Sequence, residues 1–180
     1  MDAKKKTAFL GLAFLLFLFL AYVENMFFFK ILNEILSNHL LAVLMFFMHN
    51  ILVVSLILLG MTFYVNLVLL NFFKREKYGN IVVEHPRPFA VTFAVVIIFI
   101  SILRGATLIY GGVNIETLHL ILLISTPIGI VEGYGVYLTL EKTLSRTISM
   151  KNLAYIYGIF FIAALMEVAF INALKIVYAE

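Results

Sequence analysis

The sequence predicts an all-α fold, a polytopic bundle of transmembrane helices that forms a single integral membrane domain over residues 1–180. Two observations support this prediction. Hydrophobic residues make up 64% of the chain and the mean hydropathy is +1.09, whereas a soluble domain is about 45–50% apolar. The apolar residues also form long runs, and about 20 such residues are enough to cross the hydrocarbon core of a bilayer. The lipid bilayer is therefore the first partner that we expect.

The first two predicted spans lie close together in the chain. The first, at about residues 7–29, follows Lys4-Lys5-Lys6, and we expect it to be retained because no small-residue cleavage site comes after it. A polar connection at residues 30–39 leads to the second span, residues 40–72. Its apolar part of about 31 residues would be about 46 Å long, which is more than a bilayer requires. We therefore expect the second span to tilt or to kink near Gly60.

Three further spans follow, separated by polar loops. The third, residues 89–110, begins just after Pro86-Arg87-Pro88, and proline suits the first turn of a helix. The fourth, residues 118–140, contains Pro127. Because proline lacks a backbone N–H, we expect this span to be broken near that residue. The fifth span covers residues 152–178 and completes a bundle of five.

The distribution of basic residues predicts the orientation of the five spans. Ten Lys and Arg residues fall on one side of the membrane and two on the other, with Arg104 inside the third span. Loops on the cytoplasmic side carry the excess of Lys and Arg. We therefore expect a multi-pass protein of the cell membrane with a cytoplasmic N-terminus and an external C-terminus. Dividing the second run at Gly60 into two spans would weaken this bias.

Composition also excludes some functions. The basic residues flank hydrophobic segments and do not form a stripe with interleaved aromatic residues, so we expect no nucleic acid as a partner. The chain has no Cys, which rules out disulfides, thiol nucleophiles and thiolate metal sites.

Several polar residues lie inside the predicted spans, and we take them as a candidate site or pathway. They are Glu24, Asn25, His49, Asn50, Arg104, Glu132, Glu167 and Asn172. Ionisable side chains are costly in a membrane and commonly mark a pathway for ions or protons, and imidazole titrates near neutral pH. We therefore predict a channel-like or transporter-like site for protons or cations. A bound cation is the one cofactor that we consider, with Glu132, Glu167 and His49 as candidate ligands.

Helix packing is the alternative interpretation of the same residues. Arg104 would neutralise Glu24 or Glu167, while Asn and His side chains would form hydrogen bonds between helices. The protein would then be a membrane scaffold or assembly protein without transport activity. Gly129-x-x-x-Gly133 allows helices to approach closely, either for internal packing or for dimerisation. We expect a homodimer, and other membrane proteins are candidate partners.

An intramembrane hydrolase is a weaker alternative. A metalloprotease would need a His-Glu-x-x-His pair, and His49 is the only His well inside a predicted span. Ser55, Ser101 and Ser125 have no His paired with them in their sequence context. We therefore expect no enzymatic activity and assign no catalytic residue.

Two features resemble the stage II sporulation protein M family of multi-pass integral membrane proteins. They are the motif Pro127-x-Gly129-x-x-Glu132 and the pair His49-Asn50 ahead of a long apolar run. The resemblance covers about residues 40–180, with Ile128 where the family motif usually has His and His49 where it usually has Asn. It implies a multi-pass protein of about this size. Bacterial members of the family help a peptidoglycan-remodelling complex during engulfment.

Overall fold

The fold is all-helical over the residues that the computed structural model describes. These are residues 3–70, 72, 80–110 and 118–178, without the side chains of 29–34, 101–110, 118–122, 124 and 174–178. The helices are α1 (Ala3–Ile35), α2 (His39–Leu69), α3 (Ile81–Glu84), α4 (Pro86–Tyr110), α5 (Leu118–Leu144) and α6 (Met150–Tyr178). No β-strand occurs in these ranges. The predicted all-α class is therefore confirmed.

Three helices in the described part of the chain are long and apolar enough to cross a membrane. They are Ala3–Phe28 within α1, the whole of α2, and Met150–Ala173 within α6. A shorter apolar stretch, Pro86–Ile100, begins α4. Large apolar side chains on α1 are strongly exposed, as Leu12 is at 67%. Because such a surface is suited to lipid, these helices indicate a membrane-embedded protein.

The connection between α1 and α2 is shorter than the sequence predicts. α1 continues to Ile35 and α2 begins at His39, so the segment predicted as a polar connection, residues 30–39, is helical at both ends. Asn38 caps α2 by accepting a hydrogen bond of 3.2 Å from the backbone N–H of Leu41. An Asn in this position satisfies one of the donors that the first helical turn leaves unpaired. The helix end is therefore set by the cap, and not by the point where the apolar run stops.

Two glycines let aromatic rings pack tightly between α1 and α2. The ring of Phe14 lies over Gly60, where an added Cβ would come within 2.8 Å of Cε2. The ring of Phe63 lies over Gly11 in the same way, at 2.9 Å. α2 is one continuous helix through this region. Gly60 thus provides room for a ring from α1 and does not divide the helix.

α5 continues through Pro127 from Leu118 to Leu144, so the predicted break in the fourth span is wrong. Proline removes only one helical donor, which leaves the carbonyl four residues earlier, that of Leu123, without its usual partner. In a bilayer no water replaces helical hydrogen bonds. A complete break would therefore leave more backbone groups unsatisfied than the single bond that Pro127 removes.

Side chains from neighbouring helices pack against the glycines of α5. Gly129 and Gly133 both face Ile98 of α4, and a Cβ on Gly133 would lie 2.5 Å from Cγ1 of that side chain. Gly135 faces the ring of Phe160 on α6, at 2.6 Å. Of the two predicted uses of the Gly129-x-x-x-Gly133 motif, internal packing is the one found in the structure.

The turn between α5 and α6 satisfies the backbone groups at both helix ends. Arg146 has a positive φ of 57°. The N–H of Thr147 donates to the carbonyl of Lys142 at 2.9 Å, which closes the end of α5. Ser149 caps α6 by accepting a hydrogen bond of 3.2 Å from the N–H of Asn152. The predicted polar loop therefore contributes its first residues to α5 and its last to α6.

Two apolar clusters hold the bundle together. The first cluster contains Phe28, Ile35, Leu36, Ala42, Phe46, Ala164 and Val168. The second cluster contains Val54, Ala90, Val136, Leu140, Ile156 and Phe160. Along α2 the first cluster comes before the second, whereas along α6 the order is reversed, so these two helices are antiparallel. α5 is joined to α6 by a short turn and packs antiparallel to it, and it therefore runs parallel to α2.

Candidate functional site

The centre of the candidate site is a hydrogen-bonded pair that joins α1 to α2. Oε2 of Glu24 lies 2.9 Å from Nδ1 of His49. The two side chains are 20% and 11% exposed, respectively. When Glu24 is ionised it can only accept, so Nδ1–H of His49 donates the hydrogen bond. The pair places a carboxylate and an imidazole together within two apolar helices.

Aromatic rings hold His49 in position. Phe28 stacks on the imidazole with ring centroids 5.0 Å apart and an interplanar angle of 28°. Phe46 contacts Phe28 edge to face at 5.2 Å, and neither phenyl ring is exposed. Phe28 follows Glu24 by one helical turn, so both side chains lie on the face of α1 that meets α2. These rings shield one side of the pair from solvent.

Asn50 and Glu132 lie at the same level of the bundle. Asn50 is 4% exposed and precedes Val54 by one turn, and Glu132 is 8% exposed and precedes Val136 by one turn. Val54 and Val136 both belong to the second cluster. Because α2 and α5 are parallel, one turn back along each helix reaches the same level. The structure therefore brings Glu132 level with the residue that follows His49.

The remaining predicted residues occupy separate positions. Glu167 and Asn172 are partly buried on α6, on either side of Val168 of the first cluster. Asn25 is exposed on α1. Arg104 lies in α4, and its side chain is outside the described residues, so the predicted neutralisation of a carboxylate by Arg104 is outside them too. The described partner of Glu24 is His49.

The predicted cation ligands do not form a metal centre. Across residues 3–70, 72, 80–110 and 118–178, where side chains are described, no group of three His, Asp or Glu side chains is arranged to hold a metal ion. Glu132, Glu167 and His49 are all within this part of the chain. They lie on three different helices, and the packing does not bring all three together around one point.

An open groove of about 640 Å³ lies beside the pair, between α1 and α2. Its lining residues are Leu15, Leu18, Phe19, Ala21, Tyr22, Asn25, His49 and Val53. The leucines lie at one end along α1, and Asn25 lies at the other end. His49 therefore has one side against Phe28 and another at the surface of the bundle.

Three buried polar atoms on α1, α2 and α5 have no hydrogen-bond partner among the described residues. They are Oε1 of Glu24, Nδ2 of Asn50 and Oγ of Ser125. The Ser125 residue is 7% exposed and stands two turns before Glu132 on the same face of α5. A buried polar group without a partner is unfavourable in an apolar environment, and native proteins have few of them.

One buried acidic residue was missed by sequence reasoning. Glu141 is 8% exposed, with Oε2 at 3.1 Å from Nζ of Lys142 and Oε1 at 3.8 Å from Nε of Arg87. The predicted fourth span ended at residue 140, which placed Glu141 in a polar loop. Its basic neighbours in the sequence give no signal of burial. The contact with the start of α4 gives Glu141 a role in packing.

Comparisons with protein-family models, with curated proteins and with solved structures find no match to this chain. The resemblance to the stage II sporulation protein M family therefore stays a prediction. The chemistry of the site rests on the chain's own residues, above all on Glu24 and His49.

Proposed function

We propose that the chain is a cell-membrane protein of five spans, with a cytoplasmic N-terminus and an external C-terminus, that provides an intramembrane path for protons or cations. The antiparallel packing supports the topology. Lys4, Arg87, Lys142 and Lys151 lie near the start of α1, the start of α4, the end of α5 and the start of α6. These four ends are on one side of the bundle, and a concentration of basic residues marks the cytoplasmic side.

The Glu24–His49 pair is the observation that carries the proposed function. Its two side chains are largely buried in helices that are apolar enough to span a membrane. Ionisable groups at such positions commonly serve as relay points for protons or ions. Carboxylate and imidazole each gain and lose a proton, so together they provide a site whose charge changes as the transported species binds and leaves.

Flux through proteoliposomes tests this function. We expect the wild-type protein to carry protons down an imposed potential, read by a pH-sensitive dye trapped in the vesicles. Glu24→Gln should lower that flux because the amide cannot take up a proton, and Glu132→Gln should do so because it removes a second buried carboxylate. Glu84→Gln is the matched control, since Glu84 is exposed in the short α3. Equal, background-level flux in all four proteins would contradict the proposal.

A membrane scaffold without transport activity is the second candidate. The observation that favours it is that the Glu24–His49 bond also fastens α1 to α2. In that case Glu24→Gln changes thermal stability or oligomeric state in detergent, while even the wild-type protein shows no flux. We also propose a homodimer as the assembly. It would use a face other than that of Gly129 and Gly133, which Ile98 fills.

We also propose that the chain is related to the stage II sporulation protein M family. Pro127, Gly129 and Glu132 are the motif residues that this chain shares with the resemblance. Gly129 packs on α4 and Glu132 is buried, so these two motif residues lie inside the bundle, whereas Pro127 is exposed. Ile128, where the family usually has His, is also buried.

A further inference from the structure

Three buried polar atoms without hydrogen-bond partners among the described residues lie on three different helices. Oε1 of Glu24 is on α1, Nδ2 of Asn50 on α2 and Oγ of Ser125 on α5, and each is buried without a hydrogen-bond partner in the described part of the chain. Leaving a buried donor or acceptor unsatisfied costs about 1–3 kcal/mol. Buried water commonly removes this cost by bridging such groups.

The order of residues along the helices relates these atoms to one another. Asn50 follows His49 directly, and His49 holds Glu24. Asn50 and Glu132 are level, one turn from Val54 and Val136 of the second cluster. Ser125 is two turns from Glu132 on the same face of α5, a distance of about 10 Å along the helix. Groups that bind water thus extend from Ser125 to the Glu24–His49 pair.

We infer that this region holds a chain of water molecules from Ser125 to the Glu24–His49 pair, and that the species carried is the proton. The inference rests on the proposed function and deepens it. A hydroxyl, an amide, carboxylates and an imidazole are groups that water molecules join into a hydrogen-bonded chain. Water molecules in such a chain pass a proton from one to the next, and carboxylate and imidazole groups relay protons within membranes.

The proton step at Glu24 needs no further reactant. A hydronium ion in the chain gives its proton to Oε1, which leaves a neutral carboxylic acid and a water molecule. The reverse transfer restores the carboxylate and the hydronium ion. His49 is bonded to Oε2, which leaves Oε1 as the oxygen that exchanges the proton.

Accessibility to a small charged thiol reagent tests the water chain directly. The chain contains no Cys, so a single introduced Cys is the only thiol. We expect Asn50→Cys and Ser125→Cys in proteoliposomes to react with methanethiosulfonate ethylammonium about tenfold faster than Val54→Cys, because the reacting thiolate forms only in contact with water. Val54 is the matched control, fully buried in the apolar second cluster. Equally slow reaction at all three positions would overturn the inference.

Water-edited solid-state NMR of the unmodified protein covers the case in which a Cys variant does not fold. Magnetisation from water should reach the side-chain amide of Asn50 as quickly as that of the exposed Asn25, and much faster than the methyl groups of Val54. Build-up at Asn50 as slow as at Val54 would also overturn the inference. Water contact without flux supports the water chain and contradicts the proposed transport. Flux without water contact would support the proposed transport and overturn the water chain.

Discussion

Among single residues, the Glu24–His49 pair offers the most direct test of how a polar contact acts in this bundle. Removing one partner leaves the other largely buried without its hydrogen bond, which is unfavourable in an apolar environment. We therefore expect Glu24→Gln and His49→Gln to be non-additive. Their coupling should be about 0.5–3 kcal/mol, as for residues in direct contact. A double-mutant cycle of unfolding free energies in detergent measures it, and additive losses would show that the contact does not stabilise the fold.

Sequence reasoning identified both members of this pair but not the pairing. An acid or an imidazole inside a long apolar run is visible from the sequence alone, because such residues are rare in membrane helices. Which side chains meet depends on how each helix is rotated and on its level in the bundle, and the sequence left Arg104 paired with either Glu24 or Glu167 under the packing interpretation. Asn25 shows the same limit, since it adjoins Glu24 in the chain yet is exposed on α1.

At the level of helices, the contact between α4 and α5 depends on the small size of Gly133. An added Cβ would lie 2.5 Å from Ile98, so we expect Gly133→Ala to lower the unfolding free energy by about 1–3 kcal/mol through overpacking. Gly158→Ala is the matched control, because a Cβ there would have no atom within 4 Å. It should be neutral or stabilising by about 0.5–1 kcal/mol.

The double variant Gly133→Ala with Ile98→Val separates overpacking from other effects. The shorter side chain removes Cδ1, which would lie 2.6 Å from the added Cβ, so part of the lost stability should return. Thermal unfolding in detergent compares the four proteins. If Gly133→Ala matched Gly158→Ala in stability, close packing of α4 on Gly133 would not contribute to the fold.

The helices themselves were largely predictable, and their ends and interruptions were not. Long apolar runs identified α1, α2 and α6 because length and hydropathy are local properties. The predicted break at Pro127 failed because a helix in an apolar environment keeps the rest of its backbone hydrogen bonds. The predicted polar connection at residues 30–39 is helical at both ends. A change in polarity does not end a helix, whereas the cap at Asn38 begins the next one.

At the level of the whole molecule, the orientation in the membrane links the basic residues to the site. The helix directions put the turn at residues 36–38 at the opposite end of the bundle from the turn at residues 145–149. The proposed topology therefore places Ser37 outside the cell and Ser145 in the cytoplasm. Single Cys variants at these positions test the topology without background, because the chain has no Cys.

We expect a membrane-impermeant maleimide added to intact cells to label Ser37→Cys, and to label Ser145→Cys only after the membrane is opened. Both positions lie in turns, so labelling depends on the side of the membrane and not on helix burial. Labelling of Ser145→Cys alone in intact cells would reverse the orientation, and labelling of both would contradict a bundle in which α5 and α6 meet at the cytoplasmic side. The reversed orientation would also move the Glu24–His49 pair to the other half of the bilayer, because the pair lies nearer the turn at residues 36–38 along both α1 and α2.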